Sequence, residues 1–384
     1  MANDVTVQDI FLKFYPEYLT CHTPTFAQQK VATNIMNCKT GAYGLNVSIC
    51  EDCGAIQIHY NSCRNRCCPM CQTIPKELWM DARREDVLDA PYFHLVFTVP
   101  DVLNPVIYSN QKLLYDALYH AASATINELT TDPSHLGANV GYICILHTWG
   151  SEMNFHPHIH TILLGGGLTS KNEWKDSGTE FFLPIRAVSK VFRGKYLEEL
   201  KNLWENNLLK FYGTSEKYRN HYVFKELLDT CYTTEWIPYC KKTFNGAQSV
   251  IDYLGKYTHR IAISNHRIIR MDDEAVTFSV KDYQNRGQWK ELTISGVEFI
   301  RRFLMHVPPK RFVRIRHYGL LCNRTKHKKL TLCRNLLGCK KYLSILKDMN
   351  VPEILDYLYG LNISVCKECG GHMGQMQKHI PLRC

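Results

Sequence analysis

At 384 residues with a formal net charge of +10, the chain is long enough for two or three separately buried cores. It is cationic enough to favour a polyanionic partner, nucleic acid or an anionic membrane surface. No apolar run approaches the roughly eighteen residues that span a bilayer, and MANDVTVQDIF lacks the basic start and apolar stretch of a secretory leader, so a cytosolic protein outside the membrane is expected. In that reducing compartment, seventeen cysteines are better explained by metal ligation and buried thiols than by disulfides.

Thr6 to Met36 reads as helix, with an apolar face of Ile10, Phe11, Phe14, Tyr15, Tyr18 and Leu19, broken around Pro24 and resumed at Phe26. Then comes CEDCGAIQIHYNSCRNRCCPMCQ. It holds two Cys-x-x-Cys pairs separated by fourteen residues, near the spacing of a tetrahedral zinc site, because each tight turn aims two thiolates at one ion. Cys50, Cys53, Cys68 and Cys71 form the simplest ligand set, with Cys63, Cys67 and His59 as alternates or as part of a second site. Zinc in such a unit contributes on the order of 10 kcal/mol to folding. Arg64 and Arg66 lie between the thiolates, to meet phosphate or to balance the charge of the metal site.

Pro75 to Leu88 reads as a helical link, Tyr92 to Pro100 as a buried strand and Leu113 to Leu129 as a helix. The stretch Gly141 to Gly167, GYICILHTWGSEMNFHPHIHTILLGGG, reads as a β-hairpin. A strand's period of two sends His158 and His160 to one face, and a turn near Met153 brings His147 opposite His160. Three neutral imidazoles make a divalent-metal site with coordination positions left for a substrate oxygen. The run Gly165 to Gly167 reads as the exit from this hairpin.

Lys171 to Thr243 is helical and basic with interleaved aromatics (Trp174, Phe192, Tyr196, Trp204, Phe211, Tyr212, Tyr218 and Tyr222 among them), a composition that serves base stacking or, for most of these rings, an internal core. In Gly246 to Arg260, GAQSVIDYLGKYTHR, a helical period puts Tyr253 and Tyr257 at i and i+4, roughly 6 Å apart at their β-carbons. A phenol attacks a phosphodiester when a metal polarises the phosphate and basic groups stand near, and Lys256, His259 and Arg260 are the nearest candidates. Beyond this, a hairpin turns at Asp272-Asp273, WKELTISG is a strand, and Val297 to His306 a helix ended by Pro308-Pro309. The tail from Lys310 to Lys341 is strongly basic, suited to phosphate contact. Cys366 and Cys369, followed by His372, His379 and Cys384, are candidates for a further zinc.

Taken together, Ser62-Cys-Arg-Asn-Arg-Cys-Cys-Pro-Met-Cys71, Leu146-His-Thr-Trp-Gly150, Phe155-His-Pro-His-Ile-His160, Tyr253-Leu-Gly-Lys-Tyr-Thr-His-Arg260 and Ile263-Ser-Asn265 resemble the insertion-sequence-91 type rolling-circle transposases. These are two-tyrosine members of the His-hydrophobic-His endonuclease superfamily. The resemblance runs from about Phe11 to Leu321, and Cys67 stands where the family usually has histidine. It implies an α+β fold whose central antiparallel sheet carries the histidines with the tyrosine helix alongside. Residues 1–80 would be a helical, zinc-binding, DNA-binding domain and 88–310 the nuclease domain with a helical insertion at about 170–245. A basic region would follow at 311–384.

It further implies that Mg²⁺ or Mn²⁺ on His158 and His160 assists Tyr253 or Tyr257 in nicking single-stranded DNA at element ends and target. A 5′-phosphotyrosine link and a free 3′-hydroxyl result, and the second tyrosine takes the second strand. Each step exchanges one phosphoester for another, which agrees with the lack of an ATP-type phosphate loop. His147 is expected as third ligand with Gln248 in reserve, and the location would be the nucleoid of a bacterial cytoplasm. A replication initiator or relaxase would share this chemistry. A zinc-dependent DNA-binding regulator would bind without cutting, and a metallohydrolase using His147, His158 and His160 would need no tyrosine.

Overall fold

The computed structural model describes residues 5–178, 182–236, 238–242, 249–250, 253, 255, 261–282 and 287–379. Tyr257, Lys256, His259, Arg260, Gln248 and Cys384 lie outside them. The fold is mixed helix and antiparallel sheet, as expected, built on a sheet of β3 (Tyr92–Thr98), β4 (Asn139–Trp149), β5 (Phe155–Leu168), β6 (Trp174–Asp176), β7 (Tyr239–Lys242) and β11 (Ile315–Gly319). The order is β11-β4-β5-β3-β7, with β6 paired to β5. Every pairing is antiparallel.

Side chains alternate between the two faces of this sheet. Phe93, Leu95, Phe97, Tyr142, Cys144, Leu146, Ile159 and Leu163 face a core completed by α4 (Gln111–Thr131) and α5 (Ile185–Glu205). Phe192, Tyr196, Phe211 and Tyr218 of the basic aromatic stretch belong to that core, while Tyr212 and Tyr222 are exposed. Tyr92, Ile143, Ile145, Ile162 and Leu164 face the other way, against Met80 of α3 (Thr73–Arg84), Val250 and the helix Lys326–Leu337. The three glycines are interior to β5 rather than its exit: a side chain at Gly167 would come within 2.5 Å of the Asn139 carbonyl oxygen.

A second core gathers distant segments. α1 (Val7–Cys21) and α2 (Phe26–Met36) start on capping boxes, Thr6 with Asp9 and Thr25 with Gln28. Val7, Ile10, Phe11, Phe14, Tyr15 and Tyr18 bury one stripe of α1; Leu19 falls outside it and is 47% exposed. The stripe packs on the helix Gly296–Met305, with the Phe11 and Phe303 rings edge to face at 5.2 Å. A meander of β8 (Ile268–Met271), β9 (Ala275–Asp282) and β10 (Gln288–Ser295) completes the core, turning at Asp272-Asp273 as expected.

The third sheet joins the two ends of the chain. β1 (Leu45–Cys50) lies between β2 (Ile56–Tyr60) and β12 (Met373–His379). Much of the basic tail is internally committed: Lys326 bridges Asp86 at 3.0 Å, Arg316 pairs with Asp116, and Arg334 donates to the Glu85 carbonyl. No helix among the described residues is long and apolar enough to cross a membrane.

Candidate active site

At one end of the sheet, histidines replace the apolar residues of the face that carries Ile143, Ile145 and Ile162. His147 ends that row on β4, and His158 and His160 end it on β5. Their ring nitrogens lie within 4.8 Å of one another. All three side chains are buried, and Nε2 of His158 is 3.0 Å from Nε2 of His160. His147 stands opposite His158, not opposite His160 as a turn near Met153 predicted, because the hairpin closes with Trp149 opposite Phe155, centred on Glu152, and the one-residue register shift beside Trp149 makes up only part of the difference. Its ring still comes to 4.5 Å, centre to centre, from that of His160.

The turn is held from outside the sheet. Met153 takes a left-handed φ of 57° and is fully buried in the second core. The carbonyls of Ser151, Glu152 and Met153 accept from Arg267 (2.5 Å), Arg302 (2.9 Å) and His306 Nε2 (3.0 Å). His306 Nδ1 meets the Thr148 hydroxyl at 3.1 Å, so one imidazole spans the hairpin tip.

His158 Nδ1 lies 2.7 Å from the His156 carbonyl, which fixes the proton on that nitrogen and turns the Nε2 lone pair toward His160. A fourth histidine completes the row. His94, on β3, sits on the same face, its Nε2 2.9 Å from His160 Nδ1. Tyr253 reaches this group: its Oη is 2.6 Å from His94 Nε2 and 3.3 Å from His160 Nδ1. Ser249, Val250, Tyr253 and Gly255 are helical. Val250 is buried against the sheet, and a β-carbon at Gly255 would fall 2.2 Å from the Met80 sulfur of α3.

Burial holds the rings neutral. It lowers His94 and His158 from 6.5 to about 4 and His160 well below its ordinary value. His306 is lowered to about 4 by the same cause. The unfolded chain takes up these protons near 6.5 and the folded chain only near 4, so the stability they carry is complete above that window and lost as the pH falls through it. Long-range nitrogen–proton NMR spectra at about pH 5 are expected to show His94, His158 and His306 still neutral; rings already charged there would refute the burial argument.

The cysteines form two groups, and neither is the expected set. Cys38, Cys63, Cys68 and Cys71 converge at one place, and Cys50, Cys53, Cys366 and Cys369 at another. The fourteen-residue spacing between the first two pairs is taken up by β2, whose five extended residues carry the chain roughly 17 Å away, so Cys50 and Cys53 cannot share an ion with Cys68 and Cys71. Cys67 and His59 join neither group. Cys67 is buried in the second core beside the first group without joining it, its thiol pushed up to about 11 by burial. By contrast, hydrogen bonds from Cys63 and Cys68 favour the Cys71 thiolate, with Cys63 and Cys71 Sγ atoms 3.7 Å apart. His372 faces Glu51 at 3.2 Å.

Of the arginines expected to meet phosphate, Arg66 donates to the Phe312 carbonyl at 2.6 Å and ties the cysteine loop to the start of the tail; Arg64 is exposed. Sequence reasoning missed His94, His306 and Cys38. A lone histidine at an alternating position of YFHLVFT is the signal for the first, and CEDCG echoed by CKECG is the signal that the outer cysteine pairs belong together.

Residues 141–329 match the family described as "Putative transposase", and residues 10–99 the "Transposase zinc-binding domain". The chain is similar to "Putative transposase y4qJ" of Sinorhizobium fredii, with 39% identity over 378 residues, 96% of this chain and 94% of that protein. It is also similar to the "Transposase for insertion sequence element IS801" of Pseudomonas savastanoi pv. phaseolicola, with 30% identity over 300 residues, 77% of this chain and 70% of that protein. No solved structure matches.

Proposed function

The chain belongs to the insertion-sequence-91 type transposases with an amino-terminal zinc-binding domain, and on that premise we propose that it nicks and rejoins single-stranded DNA at element ends by tyrosine transesterification, driving rolling-circle transposition. The observation that carries this reading is the Tyr253 hydroxyl, hydrogen-bonded within a row of neutral, buried histidines. A phenol used only for packing would not need two imidazoles, His94 and His160, at hydrogen-bond distance from its hydroxyl.

The donor set suits a divalent cation. Two ligand atoms about 2.1 Å from one ion and at right angles to each other lie about 3.0 Å apart, the separation of the His158 and His160 Nε2 atoms. His147 would be the third ligand. The chemistry supplied by a bound Mg²⁺ or Mn²⁺ ion is polarisation of the scissile phosphate.

With His160 Nε2 on such an ion, its Nδ1 would keep the proton; His94 Nε2, 2.9 Å from that nitrogen and 2.6 Å from Tyr253 Oη, has one lone pair, which would turn from His160 to the phenol as the proton moves. Tyr253 Oη then forms its bond to phosphorus while the bond to the 3′-oxygen breaks. The phenolic proton goes to His94, the departing oxygen takes one from solvent, and a 5′-phosphotyrosine and a 3′-hydroxyl result. Tyr257 is assigned the second strand, and Lys256, His259 and Arg260 the neighbouring phosphates.

The test incubates the protein with end-labelled single-stranded DNA from the element's termini and Mg²⁺ or Mn²⁺, then looks for label on denaturing protein gels. A metal-dependent adduct that the Tyr253→Phe, Tyr257→Phe double variant lacks is the expected result. Cleavage that survives loss of both tyrosines would sink the reading in favour of a metallohydrolase, and tight binding without adduct in favour of a regulator.

A further inference from the structure

The cysteine pair at the far end of the chain lies outside both matched regions, 10–99 and 141–329. Cys50 Sγ is 3.4 Å from Cys369 Sγ, and Cys53 Sγ is 3.7 Å from Cys366 Sγ. A disulfide would bring each pair to about 2.05 Å. Four sulfurs at about 2.3 Å from one tetrahedral zinc stand about 3.8 Å from each other, near the separations found.

The two pairs are also the same local structure. In Cys50-Glu-Asp-Cys53-Gly54, the Gly54 amide donates to the Cys50 carbonyl at 3.1 Å and the Cys50 amide to Ala55 at 2.9 Å, with Gly54 at φ 72°. In Cys366-Lys-Glu-Cys369-Gly370, the Gly370 amide donates to Cys366 at 3.0 Å and the Cys366 amide to Gly371 at 2.8 Å, with Gly370 at φ 78°. Each turn aims its two thiols the same way, and a left-handed glycine closes each without strain. A β-carbon at Gly371 would fall 2.0 Å from an Asp52 carboxylate oxygen, so the two turns are in contact.

Among the described residues, the apolar cluster at this corner consists of Cys50, Cys366 and Met373 with Ala55 packed beside them, too small a core to pin a chain segment by burial alone. Backbone pairing of β12 with β1 brings the segments together without providing a core.

We propose that Cys50, Cys53, Cys366 and Cys369 bind a single zinc ion as one bipartite site, distinct from the Cys38, Cys63, Cys68 and Cys71 site, and that this ion clasps the carboxyl-terminal segment onto the amino-terminal domain. The proposal does not rest on the nicking chemistry. Its ligands sit on two short turns separated by more than three hundred residues of chain, so the site forms only after both ends have been placed by the rest of the fold.

The test is zinc content per chain, measured by mass spectrometry on the full-length protein in a His158→Ala, His160→Ala background that removes the histidine site. The background protein should hold two zinc ions. Cys50→Ser with Cys53→Ser should leave one, Cys366→Ser with Cys369→Ser should leave one, and all four together should still leave one, because both halves serve the same ion. Cys369→His, which keeps a zinc ligand, should restore two. Retention of two ions without Cys366 and Cys369, or a lower count in the quadruple variant than in either double, would overturn the shared site. Should a serine variant not fold, zinc X-ray absorption of the unsubstituted cysteines decides: four sulfurs per zinc are expected, and nitrogen neighbours would overturn the assignment.

Discussion

Tyr253→Phe is expected to lower formation of the covalent DNA adduct by roughly 10⁶-fold, the scale on which loss of an essential nucleophile is felt, while binding of the same single strand changes by no more than about twofold. The substitution removes one oxygen and leaves the ring, which packs at 4.6 Å, centre to centre, on His94. What disappears is the hydroxyl held by His94 and His160. His94→Ala should cost less, about 10²-fold, as removal of a proton acceptor does, because solvent can take the proton more slowly. Gel quantification of labelled adduct and filter binding measure the two quantities. If Tyr253→Phe retained near wild-type adduct on a terminal substrate, its geometry would belong to packing and the first attack would pass to Tyr257.

The second large effect lies far from that hydroxyl. Cys68→Ser and Cys38→Ser should each prevent folding of the amino-terminal half, seen as loss of helical circular dichroism and of bound zinc. Both thiols are fully buried and converge with Cys63 and Cys71. Structural zinc contributes on the order of 10 kcal/mol, comparable to the whole net stability of a domain, about 5–15 kcal/mol, so removing one ligand cannot be absorbed locally. Cys67→Ser is the control. That thiol packs without ligating, and its replacement should cost about 1–2 kcal/mol while zinc stays bound. A folded, zinc-replete Cys68→Ser protein would show the ligand group to be wrongly drawn.

The histidine hairpin was legible because period two is a local rule: residues 158 and 160 share a face wherever the strand goes. The register across the hairpin was not, since the place where the turn closes, with Trp149 opposite Phe155, depends on what grips it, and the gripping residues Arg267, Arg302 and His306 come from more than a hundred residues downstream. The cysteine pairing failed for a similar reason. Spacing alone favours the nearest partner, whereas the true neighbour of the first pair lies over three hundred residues away and is brought in by β12. His94 was hidden because a strand of Tyr, Phe, Leu and Val reads as core, and only its place beside His160 reveals a polar row.

The buried tip of the hairpin has a consequence for how such proteins can be recombined. Met153 shares a core with Cys68, α1 and the helix Gly296–Met305, so the loop that presents the histidines is shaped by a surface made of three separate stretches of sequence. An amino-terminal zinc unit taken from a relative is therefore not a cassette. Grafted alone, it would meet a foreign turn at residues 150–154 and a foreign helix at 296–305, and the mismatch would be felt at the histidine row. A working chimera has to exchange all three pieces at once.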